Sequence, residues 1–333
     1  MNNSSKLSTR STAKILSGTH NERTAHTVTD SPYIVRTIDE LQKRVRKALK
    51  KTQQELNAQA TEESPAGQSS LGFVPTMGAL HDGHATLIRR AREQNEVVLV
   101  SVFVNPLQFG PNEDFDRYPR QLENDVALAT EAGADIVFAP AVEEMYPAGA
   151  PLITVSSGKL GTMFEGKTRP GHFDGALTVV NKFFNILTAV RGKHSIYAYF
   201  GQKDAQQLSL VQRMVHDFNH SVIIKPVSIV REDNGLALSS RNQYLSSEER
   251  ENALVLSRTL ALLREKEITG RISESDLDMA REKINSTPGI RLDYLEVVDP
   301  MTFETPTENS QQVLALVAAY VGETRLIDNM ELH

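Results

Sequence analysis

A doubly wound (Rossmann-like) α/β fold, a parallel sheet covered by helices on both faces and followed by a smaller C-terminal α+β domain, is predicted by three observations. Between 71 and 226, short β-branched runs alternate with segments whose apolar residues recur at helical spacing. One run, 97–104, is apolar throughout except for Ser101, as a strand buried on both faces of a parallel sheet is. Beyond 230 the alternation stops: two helical segments, 247–266 and 274–286, precede extended segments at 292–298 and 313–321.

Taken in order, residues 1–32 are rich in Ser, Thr, Asn, Lys and Arg, with Glu22 the one acid before Asp30, and carry no sustained apolar period. They form an expected disordered leader, dispensable for catalysis, because so polar a segment cannot bury enough apolar surface to offset the entropy of ordering it. The same acid-poor composition also suits a mitochondrial presequence, an alternative to a cytoplasmic location. Tyr33, Ile34 and Val35 make a first strand. Thr37 and Glu40 form a capping box for a helix whose Ile38, Leu41, Val45 and Leu49 share one face and whose other face is basic, a solvated surface in the absence of interleaved aromatics. The polar segment 53–70, containing Ser64-Pro65-Ala66-Gly67, reads as a long surface insertion. Leu71–Val74 form a strand ending at Pro75, and Ala85, Leu87, Ile88 and Ala91 the helix after it. The strand at 97–104, a helix around Leu122, Val126 and Ala129, and a strand at 135–138 come next. The apolar helix 175–190, the strand 196–200, the helix carrying Leu208, Val211 and Met214, and the strand 222–224 complete the first domain, 33–229. Residues 230–333 make the smaller domain, placed as a lid.

Composition excludes several classes. The chain has 333 residues, 40% of them apolar, enough for two cores. It has no cysteine, which removes disulfides, thiolate nucleophiles and cysteine-bound zinc. A net charge of -6 argues against a general nucleic-acid or anionic-membrane binder, and no apolar run approaches the roughly 18 residues of a membrane span.

Candidate chemistry gathers where strands end. His81-Asp82-Gly83-His84 lies between the strand at 71–74 and a helix, where N–H groups at a helix N-terminus attract phosphate, Gly78 and Gly83 permit close approach, and two imidazoles add donors. Asn105-Pro106-Leu107-Gln108 follows the strand at 97–104, and the Gln108 amide offers a donor and an acceptor to a hydroxy acid. Gly201-Gln202-Lys203-Asp204 follows the strand at 196–200, with Lys203 in reach of phosphate, Asp204 of a ribose hydroxyl, and Gln207 one turn further on. Leu238-Ser239-Ser240-Arg241 places two hydroxyls and a guanidinium in one loop after the flexible Asp233-Asn234-Gly235. Each motif alone also fits an ordinary capped turn or hinge; their shared position at strand ends raises them together.

The segments PTMGALHDGH (75–84), VNPLQFG (104–110), YPR (118–120), TRPGHFDGALTVV (168–180), YFGQKDAQQL (199–208) and VREDNGLALSSRNQYL (230–245) closely resemble the pantoate–beta-alanine ligases, a nucleotidyltransferase group with a His-x-Gly-His loop. The resemblance runs from about residue 33 to the end. It implies two steps: pantoate attacks the α-phosphate of ATP to give pantoyl adenylate and pyrophosphate, and the amine of beta-alanine then displaces AMP. It also implies catalytic roles for His81, His84, Lys203 and Arg241, with His84 a candidate proton donor. ATP contacts are implied for Met77, Gly78, Ala79, Leu80, Asp82, Gly83, Gly201, Gln202, Asp204, Val230, Leu238, Ser239 and Ser240. Gln108 and Gln207 would hold pantoate, with Gln108 also near beta-alanine, while Arg169 and His172 lie near the site without an assigned role. The remaining implications are ATP as a substrate, Mg2+ arriving on the triphosphate rather than in a protein metal cage, and a homodimer.

Overall fold

The structure is a computed structural model that describes residues 31–332 apart from 62–64, 112 and 114. The leader expected at 1–32 thus lies almost wholly outside the described residues. The first part of the chain runs β1 (Tyr33–Val35), α1 (Ile38–Gln59), β2 (Ser70–Thr76), α2 (Asp82–Gln94), β3 (Val97–Val102), α3 (Leu122–Glu131), β4 (Ile136–Phe138) and the short α4 (Val142–Met145). It continues through the short α5 (Glu165–Thr168), α6 (His172–Thr188), β5 (Ser195–Gly201), α7 (Ala205–Asp217) and β6 (Val222–Val227). All the pairings in this sheet are parallel, in the order β1-β4-β3-β2-β5-β6.

Strand periodicity explains the layers. On β2 and β3, Leu71, Phe73, Val97 and Leu99 face a core shared with α1, α6 and α7. Val74, Val98 and Val100 face the opposite core, shared with α2 and α3. Leu41, Val45 and Leu49 are the buried stripe of α1, and Thr37 and Glu40 form the reciprocal cap at its start. Each such buried aliphatic or aromatic side chain contributes about 1.5–3 kcal/mol, so both helical layers are held by the sheet.

The second part contains α8 (Ser247–Thr269), α9 (Glu274–Asn285), β7 (Ile290–Val298), β8 (Leu314–Val321) and β9 (Thr324–Glu331). These three strands form an antiparallel sheet, β7-β8-β9, whose inner face packs on α8 and α9 around Leu256, Leu260, Ile284 and Val317. A small apolar joint of Ala205, Val298, Phe303, Leu314 and Leu316 connects it to the first domain.

Three local expectations are corrected. The segment 53–70 is not a loop throughout, because α1 continues to Gln59. Gln53, Gln54, Glu55, Leu56 and Ala58 are good helix formers, and the Gln53 side chain ties the helix end to Gly67 and Ser69. Strand β2 passes through Pro75 to Thr76, since the β5 pairing has ended at Phe73 and the missing N–H breaks no bond on that side. Strand β9 was not anticipated: its run of Thr, Arg, Asp, Asn and Glu lacks a clean alternation, and it is recruited by β8 across the turn at Gly322, where φ is +55°.

Candidate active site

Sheet order reverses between β2 and β5, the position where ligands collect in doubly wound folds. The His-x-Gly-His loop leaves the carboxyl end of β2, and the Lys203 turn leaves that of β5. Together with the Gln108 segment and the 238–241 loop they line a cleft of about 400 Å3.

The loop after β2 is held from behind. Gly78 (φ +88°) and Ala79 (φ +50°) adopt left-handed conformations, which turns the next two amides toward α3. There the carboxylate of Asp125 accepts the Ala79 N–H at 3.2 Å and the Leu80 N–H at 2.7 Å. Asp125 is 1% exposed; burial raises its pKa and the two amides oppose the rise. The Gly78 N–H donates to Thr76 Oγ1.

His81 caps α2. Its Nδ1 accepts the Gly83 N–H at 3.1 Å, while His84 Nδ1 accepts the His81 N–H at 3.3 Å. Free N–H groups at this helix mouth were expected to receive phosphate; instead the amides of 78–81 and 83 are bonded within the protein. Of the amides 78–83 only that of Asp82 has no bond among the described residues, and the imidazoles add side-chain donors beside it. With both Nδ1 atoms accepting, each neutral ring carries its proton on Nε2. The rings lie 4.2 Å apart. Burial, then His81 and Lys203, depress His84 to about 3, and burial followed by Lys203 lowers His81. Both are therefore hydrogen-bond donors without charge at neutral pH in the unliganded protein.

On the facing wall, Gln108 is 7% exposed. Its Nε2 donates to Met77 Sδ at 2.9 Å, and its Oε1 accepts from Asn105 Nδ2 at 3.2 Å. Asn105 is fixed in turn by the Gly175 carbonyl and the Tyr146 hydroxyl. Gly175 is required here, since a Cβ would stand 2.1 Å from the Leu107 carbonyl oxygen. Arg169 pairs with Glu113 through two nitrogens and contacts His172 Nε2 at 3.0 Å. That leaves His172 Nδ1–H to donate to the Gln108 carbonyl at 2.8 Å. Burial, then Arg169, lowers the His172 pKa. Arg169 and His172 thus brace the Gln108 segment while also lining the cleft.

Across from the histidines, Lys203 lies 3.9 Å from Asp204 and is mostly shielded. Gln207 lines the same cleft, and its amide has no hydrogen bond among the described residues. Ser239 Oγ accepts the Arg241 N–H, so the loop begins as a capped 3-10 turn, Ser240–Tyr244, with Arg241 exposed at the mouth.

Met77, Ala79, Gly83, Gly201, Asp204, Val230 and Leu238 also line the cleft. Leu80 turns into the core at 8% exposure, Asp82 faces solvent, and the Gln202 carbonyl is taken by Asn329. Sequence reasoning missed Asp125, Glu113 and Asn329, and took Asn105 only as the start of the turn that carries Gln108. Asp125 had a signal: it sits four residues before Ala129 on the buried side of α3, where an unpaired carboxylate has no place.

The pantoate-beta-alanine ligase family matches residues 36–331. A pantothenate synthetase of Paenarthrobacter aurescens is 53% identical over 277 residues, 80% of this chain and 93% of that protein. One from Corynebacterium glutamicum is 52% identical, covering 79% and 94%. A crystal structure of pantothenate synthetase from Thermus thermophilus superposes with a TM-score of 0.75 at 45% identity, covering 90% of this chain and 99% of that one. A pantoate-beta-alanine ligase from Francisella tularensis, complexed with beta-gamma ATP and beta-alanine, superposes with a TM-score of 0.65 at 34% identity, covering 90% and 98%. With its fold and nearly its whole described length matched, the chain belongs to the pantoate-beta-alanine ligase family, ligases that join pantoate to beta-alanine.

Proposed function

We propose that this chain makes pantothenate through pantoyl adenylate, with ATP as the activating substrate and with the cleft walls dividing the work. In the first step a pantoate carboxylate oxygen bonds to the α-phosphorus while the bond from that phosphorus to the bridging oxygen breaks, releasing pyrophosphate. In the second, the neutral amine of beta-alanine bonds to the acyl carbon, the carbon–oxygen bond to AMP breaks, and the nitrogen loses its proton. Hydroxide is too poor a leaving group for direct amide formation, and AMP removes that barrier.

The observation that carries this reading is the pair of imidazoles whose Nδ1 atoms are occupied by backbone amides, leaving two Nε2–H donors on a cleft that Lys203 and Arg241 also line. Such preorganised donors act on charge developing at the α-phosphoryl oxygens and on departing pyrophosphate. His81 and His84 serve the α-phosphate; Lys203, Arg241, Ser239 and Ser240 serve the outer phosphates; Gly201, Asp204 and Val230 hold the nucleoside. Bound triphosphate adds negative charge beside His84 and raises its proton affinity, so a proton-donor role is confined to the liganded state. Gln108 and the unpartnered amide of Gln207 hold pantoate's hydroxyls and carboxylate. Asp204 is the one carboxylate among the residues lining this cleft, too few for a protein magnesium cage, so magnesium would be carried by the triphosphate and keep its waters.

Residues 230–333 would act as a lid. The protein would be a cytoplasmic homodimer; no described helix is long and apolar enough to cross a membrane. Product analysis tests the reaction: AMP and pyrophosphate should form only with pantoate present, and pantothenate only after beta-alanine is added. ADP and phosphate as products would refute it. His84→Ala and Lys203→Ala should each slow single-turnover adenylation on the order of 10²–10³-fold.

A further inference from the structure

The cationic groups proposed to meet the triphosphate come from two separate parts of the chain. Lys203 stands on the turn after β5, whereas Ser239 and Arg241 stand on the segment that follows directly after a turn closed by the pairing of Arg231 with Ala237. Both parts are tied to two consecutive residues of β9. Asn329 Nδ2 donates to the Gln202 and Lys203 carbonyls, each at 2.9 Å. Asp328 accepts both terminal nitrogens of Arg231, at 2.7 and 3.0 Å, and also the Asn329 N–H at 2.8 Å. Arg231 completes the junction by donating to the Gly235 carbonyl at 3.2 Å.

Asp328 and Asn329 are 5% and 4% exposed, in register with Val317 and Leu316 of a strand that is otherwise apolar. Burying a carboxylate and an amide there is unfavourable unless each is bonded. Asn329 bonds to the backbone that carries Lys203, and Asp328 to the Arg231 side chain, which in turn bonds to the Gly235 carbonyl in the turn ahead of Ser239 and Arg241. The Lys203 ammonium makes only the 3.9 Å contact to Asp204, and the Arg241 guanidinium has no partner among the described residues. Their location is therefore governed by their backbones.

We propose that Asp328 and Asn329 are positioning residues for adenylation: through the Lys203 turn and the Arg231 junction they set the separation of Lys203 and Arg241 across the cleft. The second domain thus takes part in assembling the clamp. This inference rests on the adenylate reading above.

A double-mutant cycle on the full chain tests it. Asn329→Ala is measured in single-turnover adenylation, alone and combined with Lys203→Ala. Alone, it should slow adenylation on the order of 10-fold or more, because small displacements of a positioned group cost up to about 10²-fold. In the Lys203→Ala background it should have no further effect, since the group being positioned is gone. The same cycle with Asp328→Asn and Arg241→Ala tests the other arm. A merely structural role would lower the unfolding midpoint and slow adenylation equally in both backgrounds; that result, or no slowing in the single variant, overturns the proposal. If Asn329→Ala does not fold, Asn329→Ser, which loses the bridge with a smaller volume change, enters the same cycle. Failure of the wild-type protein to form adenylate would instead overturn the reading on which the proposal rests.

Discussion

His84 should make this protein measurably less stable as the pH falls below the ordinary histidine range. Its pKa is depressed from 6.5 to about 3, first by burial and then by His81 and Lys203. The unfolded chain therefore binds this proton before the folded one, and stability is lost as pH falls from 6.5 toward 3. Between pH 8 and pH 5 the linkage relation gives a loss of about 2 kcal/mol, and water reaching the ring from the cleft reduces this toward about 1 kcal/mol. His81 and His172 are lowered as well and act in the same direction. A comparison with His84→Gln isolates the contribution of His84. In urea unfolding at both pH values, the variant should lose about 1–2 kcal/mol less than wild type over the interval. An identical pH dependence, or an NMR titration placing His84 near 6.5 in the folded unliganded protein, would refute the neutral-donor assignment.

Asp125→Asn keeps the volume but turns an amide toward one of the two N–H groups that the carboxylate accepts, so it should cost about 1–3 kcal/mol in urea unfolding and slow adenylation. Unchanged stability would show that Asp125 does not hold the loop. Gly175→Ala places a Cβ 2.1 Å from the Leu107 oxygen and 2.6 Å from the Gln108 nitrogen. It should lower stability by about 1–3 kcal/mol and raise KM for pantoate while that for ATP stays near wild type; equal changes in both constants would contradict the placement of Gln108. Gln207→Leu should reduce the preference for pantoate over its deoxy analogue, because the site then no longer leaves an amide unpaired with the analogue. A preserved kcat/KM ratio would remove Gln207 from the substrate site.

Much of this architecture is legible locally. The β-branched run at 97–104 foretells a strand covered on both faces, and Val98 and Leu99 are indeed buried in opposite cores. The cap at Thr37 depends on residues three apart and is readable for that reason. The segment 53–59 reads as loop because the Ser-Pro-Ala-Gly turn signal lies close behind it, although its own helix formers extend α1. Strand β9 was invisible because its polar residues, Arg325, Asp328 and Asn329, are bonded to partners distant in sequence, and a chain read locally carries no sign of them.

The chain by itself determined the fold class, the two-domain order, and the residue types that meet at the strand ends. These depend on side-chain period and on turns, both set within a few residues. Only the tertiary structure decided how those residues can act. The amides of Ala79 and Leu80 are taken by Asp125, 46 and 45 residues away, and those of His81 and Gly83 by the two imidazoles, so anion recognition rests mainly on the Nε2–H groups. The Lys203 turn is held by Asn329, 126 and 127 residues away. Hydrogen-bond satisfaction in a buried loop is a property of everything packed around it, and that packing exists only once both sheets have formed.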